Sequence, residues 1–156
     1  MSPGVISAGS RTRFMILESD LLGTLEIDPS QVFHFPSGLY GFPDSHDFAL
    51  LPAEQNGLYW LHSTEHSALL FVLVDPFVHF ENYAVDLGPA ELKALGDPDR
   101  SELLVLAIVT LPRTRDEQPT ANLQGPIAIN LSSRVARQFP LSETEYGLRE
   151  PFELPG

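Results

Sequence analysis

The chain has 156 residues, with 9 basic and 21 acidic side chains, five histidines and no cysteine. That is the length of one domain, and 43% apolar content supplies a core without help from a metal or disulfide. A formal charge of −12, with Lys93 as the single lysine, argues against binding DNA, RNA or an anionic membrane, while the missing thiols exclude cysteine catalysis and Cys-ligated zinc. Arg11 and Arg13 precede every acid, so residues 14–156 carry all 21 acids against the remaining 7 of the 9 bases. Such a field keeps a protein soluble and also steers a basic partner towards it; both readings stand.

Residues 1–13 lack an apolar stretch of signal-peptide length, so they read as a loose head on a cytoplasmic protein, with one domain over residues 14–154. Beyond them, proline sets the grain of the chain. Fourteen in 156 is about 9%, against a usual ~5%. Each interrupts a helix interior or a central strand, which leaves room only for short elements.

Residues 24–28 alternate apolar and polar side chains, as do residues 33–35, and each reads as a half-buried strand. Gly38 and Gly41 around Leu39-Tyr40 mark a turn needing positive φ. Residues 58–62 are aromatic and apolar, and residues 68–74 and 103–109 are uninterrupted apolar runs. Both runs are too short to span a bilayer and read as strands buried on both faces, with Trp60 and Phe71 expected to be largely buried. Residues 89–95 form the one credible helix, opened by Pro89 and closed by Gly96. Residues 127–131 alternate again. Seven to ten short strands with one or two short helices predict a mainly β, antiparallel β-barrel-like domain, barrel or sandwich.

Little in the sequence suggests catalysis. His62 and His66 have the zinc spacing of a helical face, but they fall at a strand end and in a loop, so no metal site is expected. His34 and His79 sit among phenylalanines and read as partly buried, hydrogen-bonded residues. The nucleophile-elbow pattern, the phosphate loop and the dinucleotide fingerprint are absent, so neither an enzyme nor a cofactor is expected. Asp97 and Asp99 pair only within a proline-containing turn.

Residues 75–102 are the densest negative segment, seven acids against Lys93 and Arg100. Within it Phe80 and Tyr83 lie beside Glu81 and Asp86, the composition of an aromatic anchor with an acidic rim. Asp75 either ties down the turn after it or touches a partner. Asn122 and Asn130 flank a strand, where loop-fixing hydrogen bonds are favoured over recognition. The candidate partner-binding set is Asp75, Phe80, Glu81, Tyr83, Asp86 and Asn122. An alternative is a barrel that takes a small ligand in its mouth, with or without hydrolytic activity, lined by Phe33, Phe35, Trp60 and Phe71.

Three stretches carry a more specific signal: Phe33-His34-Phe35-Pro36-Ser37-Gly38-Leu39-Tyr40-Gly41-Phe42; Phe71-Val72-Leu73-Val74-Asp75-Pro76-Phe77 followed by Tyr83; and Val109-Thr110-Leu111-Pro112 followed by Thr120-Ala121-Asn122-Leu123-Gln124-Gly125-Pro126-Ile127-Ala128-Ile129-Asn130. In this order they resemble the FliW family of flagellar assembly factors, over about residues 14–154. The resemblance implies a small, cytoplasmic, β-barrel-like regulator that binds flagellin near its C-terminal end and antagonises the RNA-binding translational repressor CsrA. Export of flagellin would then free the regulator to capture the repressor. The chain departs from the family pattern at Gly38-Leu39-Tyr40-Gly41-Phe42-Pro43, where Gly-Leu-Pro-Gly-Phe-Glu is usual, and at Gly125, where alanine is usual.

Overall fold

The computed structural model describes residues 14–54, 57–142 and 144–154; the expected head, residues 1–13, falls outside them. The described residues hold eleven strands: β1 (Met15–Ser19), β2 (Gly23–Ile27), β3 (Val32–His34), β4 (Asp47–Pro52), β5 (Leu58–Ser63), β6 (Leu70–Val74), β7 (Leu103–Thr110), β8 (Thr120–Ala121), β9 (Ile127–Asn130), β10 (Ala136–Gln138) and β11 (Glu150–Pro151). Two short helices accompany them, α1 (Pro76–His79) and α2 (Pro89–Ala94). The mainly β reading holds, and so does the helix opened by Pro89. Its last turn is closed by Gly96 at φ 83°, where a side chain would be strained. The alternation in β2, β3 and β9 marked those strands, while β4 and the short β8, β10 and β11 carried no distinct pattern.

Helix α1 escaped the sequence reading because it is a single turn. Asp75 caps it, its Oδ1 accepting the Phe77 N–H at 3.0 Å, and Pro76 supplies a first-turn φ without needing a donor. Helix α2 is tied the other way round: its cap residue Gly88 has no side chain, and Glu91 Oε1 in the first turn reaches back to accept the Gly88 N–H at 2.7 Å. Neither helix is long enough to persist without tertiary contacts.

Strands β3 to β11 form one nine-stranded antiparallel sheet, with β10-β9-β7-β6-β5-β4-β3 as its path and β8 and β11 branching from β7. The sheet curls until its two ends meet. They are stitched by a single parallel bridge, His34 to Val135, and by the His34 N–H donating to the Arg134 carbonyl at 2.8 Å. No ladder runs along this seam, so the sheet is barrel-like rather than a closed barrel. Turn residues reinforce the join: the Tyr40 N–H donates to Gln138 Oε1 at 3.0 Å, and Arg137 donates to the Ser37 hydroxyl at 2.9 Å. Gly38 (φ 65°) is required here twice over, by its backbone and because a Cβ would strike the Phe42 carbonyl oxygen.

Register decides which side chains share a face. Leu50, Leu61 and Phe71 lie in one row across β4, β5 and β6, and Tyr59, Leu73 and Ile108 in the next. They point inward with Phe33, Phe35, Phe48, Leu106, Ile127 and Ile129, filling the barrel with side chains. The opposite face is apolar too, and three flaps cover it. The β1–β2 hairpin lays Leu17 and Ile27 on Ala49 and Leu51. Helix α1 and the C-terminal segment bring Tyr83 and Phe152 onto Leu58, Val74, Ala107 and Val109. Helix α2 packs Leu95 against Val105 and Ala128.

Two core expectations hold only in part. Phe71 is half-buried, because it lies next to the start of β6 at the rim, packed on Phe48 from within and covered outside by the exposed Phe42, ring centroids 5.5 Å apart. Trp60 is half-buried on the outer face, at the margin of the hairpin flap. The apolar runs identified central strands, but those strands reach the rim. Phe48 is fully buried between Phe35 and Phe71. Truncating it to alanine should cost about 3–5 kcal/mol in urea denaturation. Phe71→Ala should cost visibly less; equal losses would contradict the rim placement.

Candidate protein-binding cleft

Between α1 and α2 the chain runs without helix or strand over residues 84–88, and residues 139–142 and 144–146 of the C-terminal segment lie against it. Asn82 makes this course possible by taking a left-handed φ of 64°, which asparagine tolerates better than most residues. The C-terminal segment is held by aromatic packing. Tyr146 stacks edge-on to Phe80 and Tyr83, at 5.9 and 5.6 Å, and its hydroxyl donates to the Glu81 carbonyl. Two adjoining concavities result, meeting at Ala84. One, of about 390 Å³, is lined by Asp86, Leu87, Glu91, Phe139 and Leu141 among others; the smaller is lined by Asn82, Thr144, Glu145 and Tyr146.

The six candidate residues separate by role. Asp86 is exposed in the cleft and Glu81 is exposed at its edge, next to the lining residue Asn82; neither has a basic partner, since the single ion pair among the described residues joins His34 to Asp47 at 2.9 Å. Tyr83 is not an exposed anchor. It is 6% exposed, its hydroxyl donates to the Leu123 carbonyl at 2.9 Å, and its ring packs on Phe77 and Tyr146. It holds the cleft's floor from below, as does half-buried Phe80 against Tyr146 and Phe152. Asp75 spends its carboxylate on the α1 cap. Asn122 fixes its loop, Oδ1 accepting the N–H groups of Gln124 and Gly125 at 3.0 and 3.1 Å. Asn130 does likewise from a buried position, donating to the Leu95 carbonyl at 2.7 Å and accepting from Ser132 and Ser133.

Glu91, one of the seven acids of residues 75–102 and tied by Oε1 to the Gly88 N–H, and Glu145 complete the acidic lining; Glu145 escaped the sequence reading. Glu145 lies far along the chain from residues 75–102, and no local pattern marks it as their neighbour. The resulting surface can receive basic side chains over an apolar base.

The histidines serve local structure. His62 is fully buried, with Nδ1 2.7 Å from the Ser63 carbonyl oxygen, whereas His66 is exposed in the following loop, so the two do not converge. His34 is exposed rather than partly buried, and pairs with Asp47. His79 is half-buried against Phe152, at 5.0 Å, and its buried Nε2 has no partner among the described residues. No group of three or more His, Asp or Glu among the described residues is placed to hold a metal ion. The alternative ligand mouth does not assemble: Phe33, Phe35 and Phe71 belong to the filled inner core, while Trp60 is on the opposite face.

The fold and this surface define a small antiparallel β domain whose most developed feature is an acidic, apolar-floored cleft. The family profile described as FliW protein matches residues 16–152. The flagellar assembly factor FliW of Moorella thermoacetica is 43% identical over 128 residues, 81% of each chain. That of Natranaerobius thermophilus is 33% identical over 138 residues, 88% of this chain and 91% of the relative. A crystal structure of the flagellar assembly factor FliW superposes with a TM-score of 0.80 at 31% identity, covering 88% of this chain and 96% of that one. The chain belongs to the FliW family.

Burial pushes the Tyr83 phenol up to about 12, from an ordinary value of 10.0. Between these values the unfolded chain ionises Tyr83 while the folded protein keeps it neutral. Its contribution is therefore complete below pH 10 and is lost as pH rises through about 12. Denaturation midpoints should fall over this window, and Tyr83→Phe should flatten the fall; an unchanged slope would mean the phenol is not buried.

Proposed function

We propose that this chain is a cytoplasmic, non-catalytic flagellar assembly factor that binds flagellin and antagonises a CsrA-type translational repressor. While flagellin accumulates, it occupies the factor in a chaperone-like complex. Once flagellin is exported, the freed factor captures the repressor, and flagellin translation resumes. Membership of the FliW family carries this reading, and no cofactor enters it.

The cleft supports one half of the reading in physical terms. An RNA-binding repressor presents basic side chains to phosphates, and the carboxylates of Glu81, Asp86 and Glu145 face solvent without internal ion pairs. Exposed charges of this kind accelerate encounter and are screened by salt, while the apolar base formed by Leu87, Phe139 and Leu141 supplies area to bury. The factor would thus remove the repressor from RNA without itself contacting nucleic acid.

Glu81→Lys/Asp86→Lys should slow association with the purified repressor and weaken binding by about tenfold, with wild-type melting behaviour. Wild-type association should slow as salt rises. Unaltered repressor binding by the folded variant would move the interface away from this cleft. Absence of binding to both flagellin and the repressor by the wild-type chain would overturn the function itself.

A further inference from the structure

The three flaps leave one seam on the outer face of the sheet. Between the β1–β2 hairpin and the C-terminal segment, Leu58, Trp60 and Val72 form an open floor, with Leu22 of the hairpin turn on one side and Leu111 and Leu154 on the other. The groove is about 380 Å³, and its floor residues Trp60 and Val72 are only partly buried where neighbouring outer-face positions such as Val74 and Ala107 are fully covered. Leu111 stands 49% exposed at the margin. An apolar strip of this kind at the join of two flaps offers contact area that no segment of the described chain covers.

The ends of the groove differ in charge. By register, Leu58 is opposite Val74 and Val72 is opposite Val109, so Ala53 and Glu54 lie at the Leu58 end and Leu111 at the other. Past Leu111 the groove continues into a second concavity of about 360 Å³, lined by Arg113, Arg149, Gln118 and Thr120. Neither guanidinium has a carboxylate partner among the described residues. Glu117, which shares this concavity, turns its Oε1 back to its own loop, accepting from the Arg113 N–H and the Thr114 hydroxyl, both at 3.3 Å. Two of the chain's nine basic residues thus meet at one end of an apolar groove, in a molecule of charge −12.

The geometry points to a second docking site, a groove for a partner peptide segment whose apolar side chains cover Trp60 and Val72 and whose carboxylate is received by Arg113 and Arg149. Glu54 at the far end sets the direction by repelling the acidic end. A carboxylate with paired guanidinium donors is recognised by charge-assisted, geometrically specific hydrogen bonds. Residues 1–13 are the wrong chemistry for this end, since their only charged side chains are Arg11 and Arg13. The site is separate from the acidic cleft and stands whichever partner that cleft receives.

Trp60 is the only tryptophan, so intrinsic fluorescence reports on this groove and on the hairpin-side concavity that Trp60 shares with Leu25 and Gln31, and the arginine variants tell the two apart. The full chain is titrated with acetylated peptides alternating leucine and serine, made with a free α-carboxylate, with a neutral carboxamide, or with a carboxamide after a terminal glutamate. The carboxylate-bearing peptides should shift Trp60 emission saturably, and the neutral peptide should bind about tenfold more weakly. Comparing the two acidic peptides tells a chain end from a side chain as the source. Arg113→Gln/Arg149→Gln, at exposed positions, should abolish the preference at an unchanged melting temperature. Three results overturn the proposal: no saturable change with any peptide, equal affinity for neutral and acidic peptides, or an intact preference in the double variant. Two further results reassign the groove and overturn it equally. Altered Trp60 emission in a chain lacking residues 1–13 would give the groove to the head. Emission that tracks self-association in light scattering would give it to a second copy.

Discussion

Everything in this molecule follows from a sheet that is apolar on both faces. Strands β6 and β7 carry hydrophobic side chains at nearly every position, so curling the sheet buries only half of what must leave water. The inner half closes on itself around Phe35, Phe48 and Leu61. The outer half needs separate cover, and the chain provides it from three places: the hairpin before the barrel, the short helices between β6 and β7, and the tail after β10. With no cysteine in the chain to cross-link them, those flaps are held by packing and by a few buried polar ties.

The ties explain why residues resembling recognition groups turn out to be structural. The Tyr83 hydroxyl reaches the Leu123 carbonyl and Asn130 reaches the Leu95 carbonyl, each linking a flap to the sheet it covers. A buried donor left without its acceptor costs more than an average hydrogen bond contributes, so these positions tolerate few replacements. Recognition is left to what the flaps expose. Glu81 and Asp86 ride on the segment that Tyr83 and Phe80 anchor, which lets the acidic surface vary without cost to the core.

Flaps also make seams, and both candidate surfaces are seams. The acidic cleft lies where the segment between α1 and α2 meets the tail, and the apolar groove lies where the hairpin meets the tail. A fold that patches a sheet with separate segments acquires grooves at the joins. Their chemistry follows from whichever residues the neighbouring segments happen to carry, carboxylates at one join and guanidiniums beside leucines at the other.

The sequence by itself determined the strand-rich class, the shortness of every element, the proline-capped helix α2 and the glycine turn before β4. Each follows from local covalent geometry or from a period of two, which a single segment displays unaided. It also marked Glu81 and Asp86, because their charge density is local. Tertiary structure alone decided that Tyr83 is a core tie rather than an anchor, that Phe71 and Trp60 sit at margins, and that Glu145 joins Asp86. Those outcomes depend on which distant segment covers a given side chain. An amphipathic tyrosine or a phenylalanine in an apolar run has the same appearance in sequence whether or not a flap lies above it, and only the packed chain sets the difference.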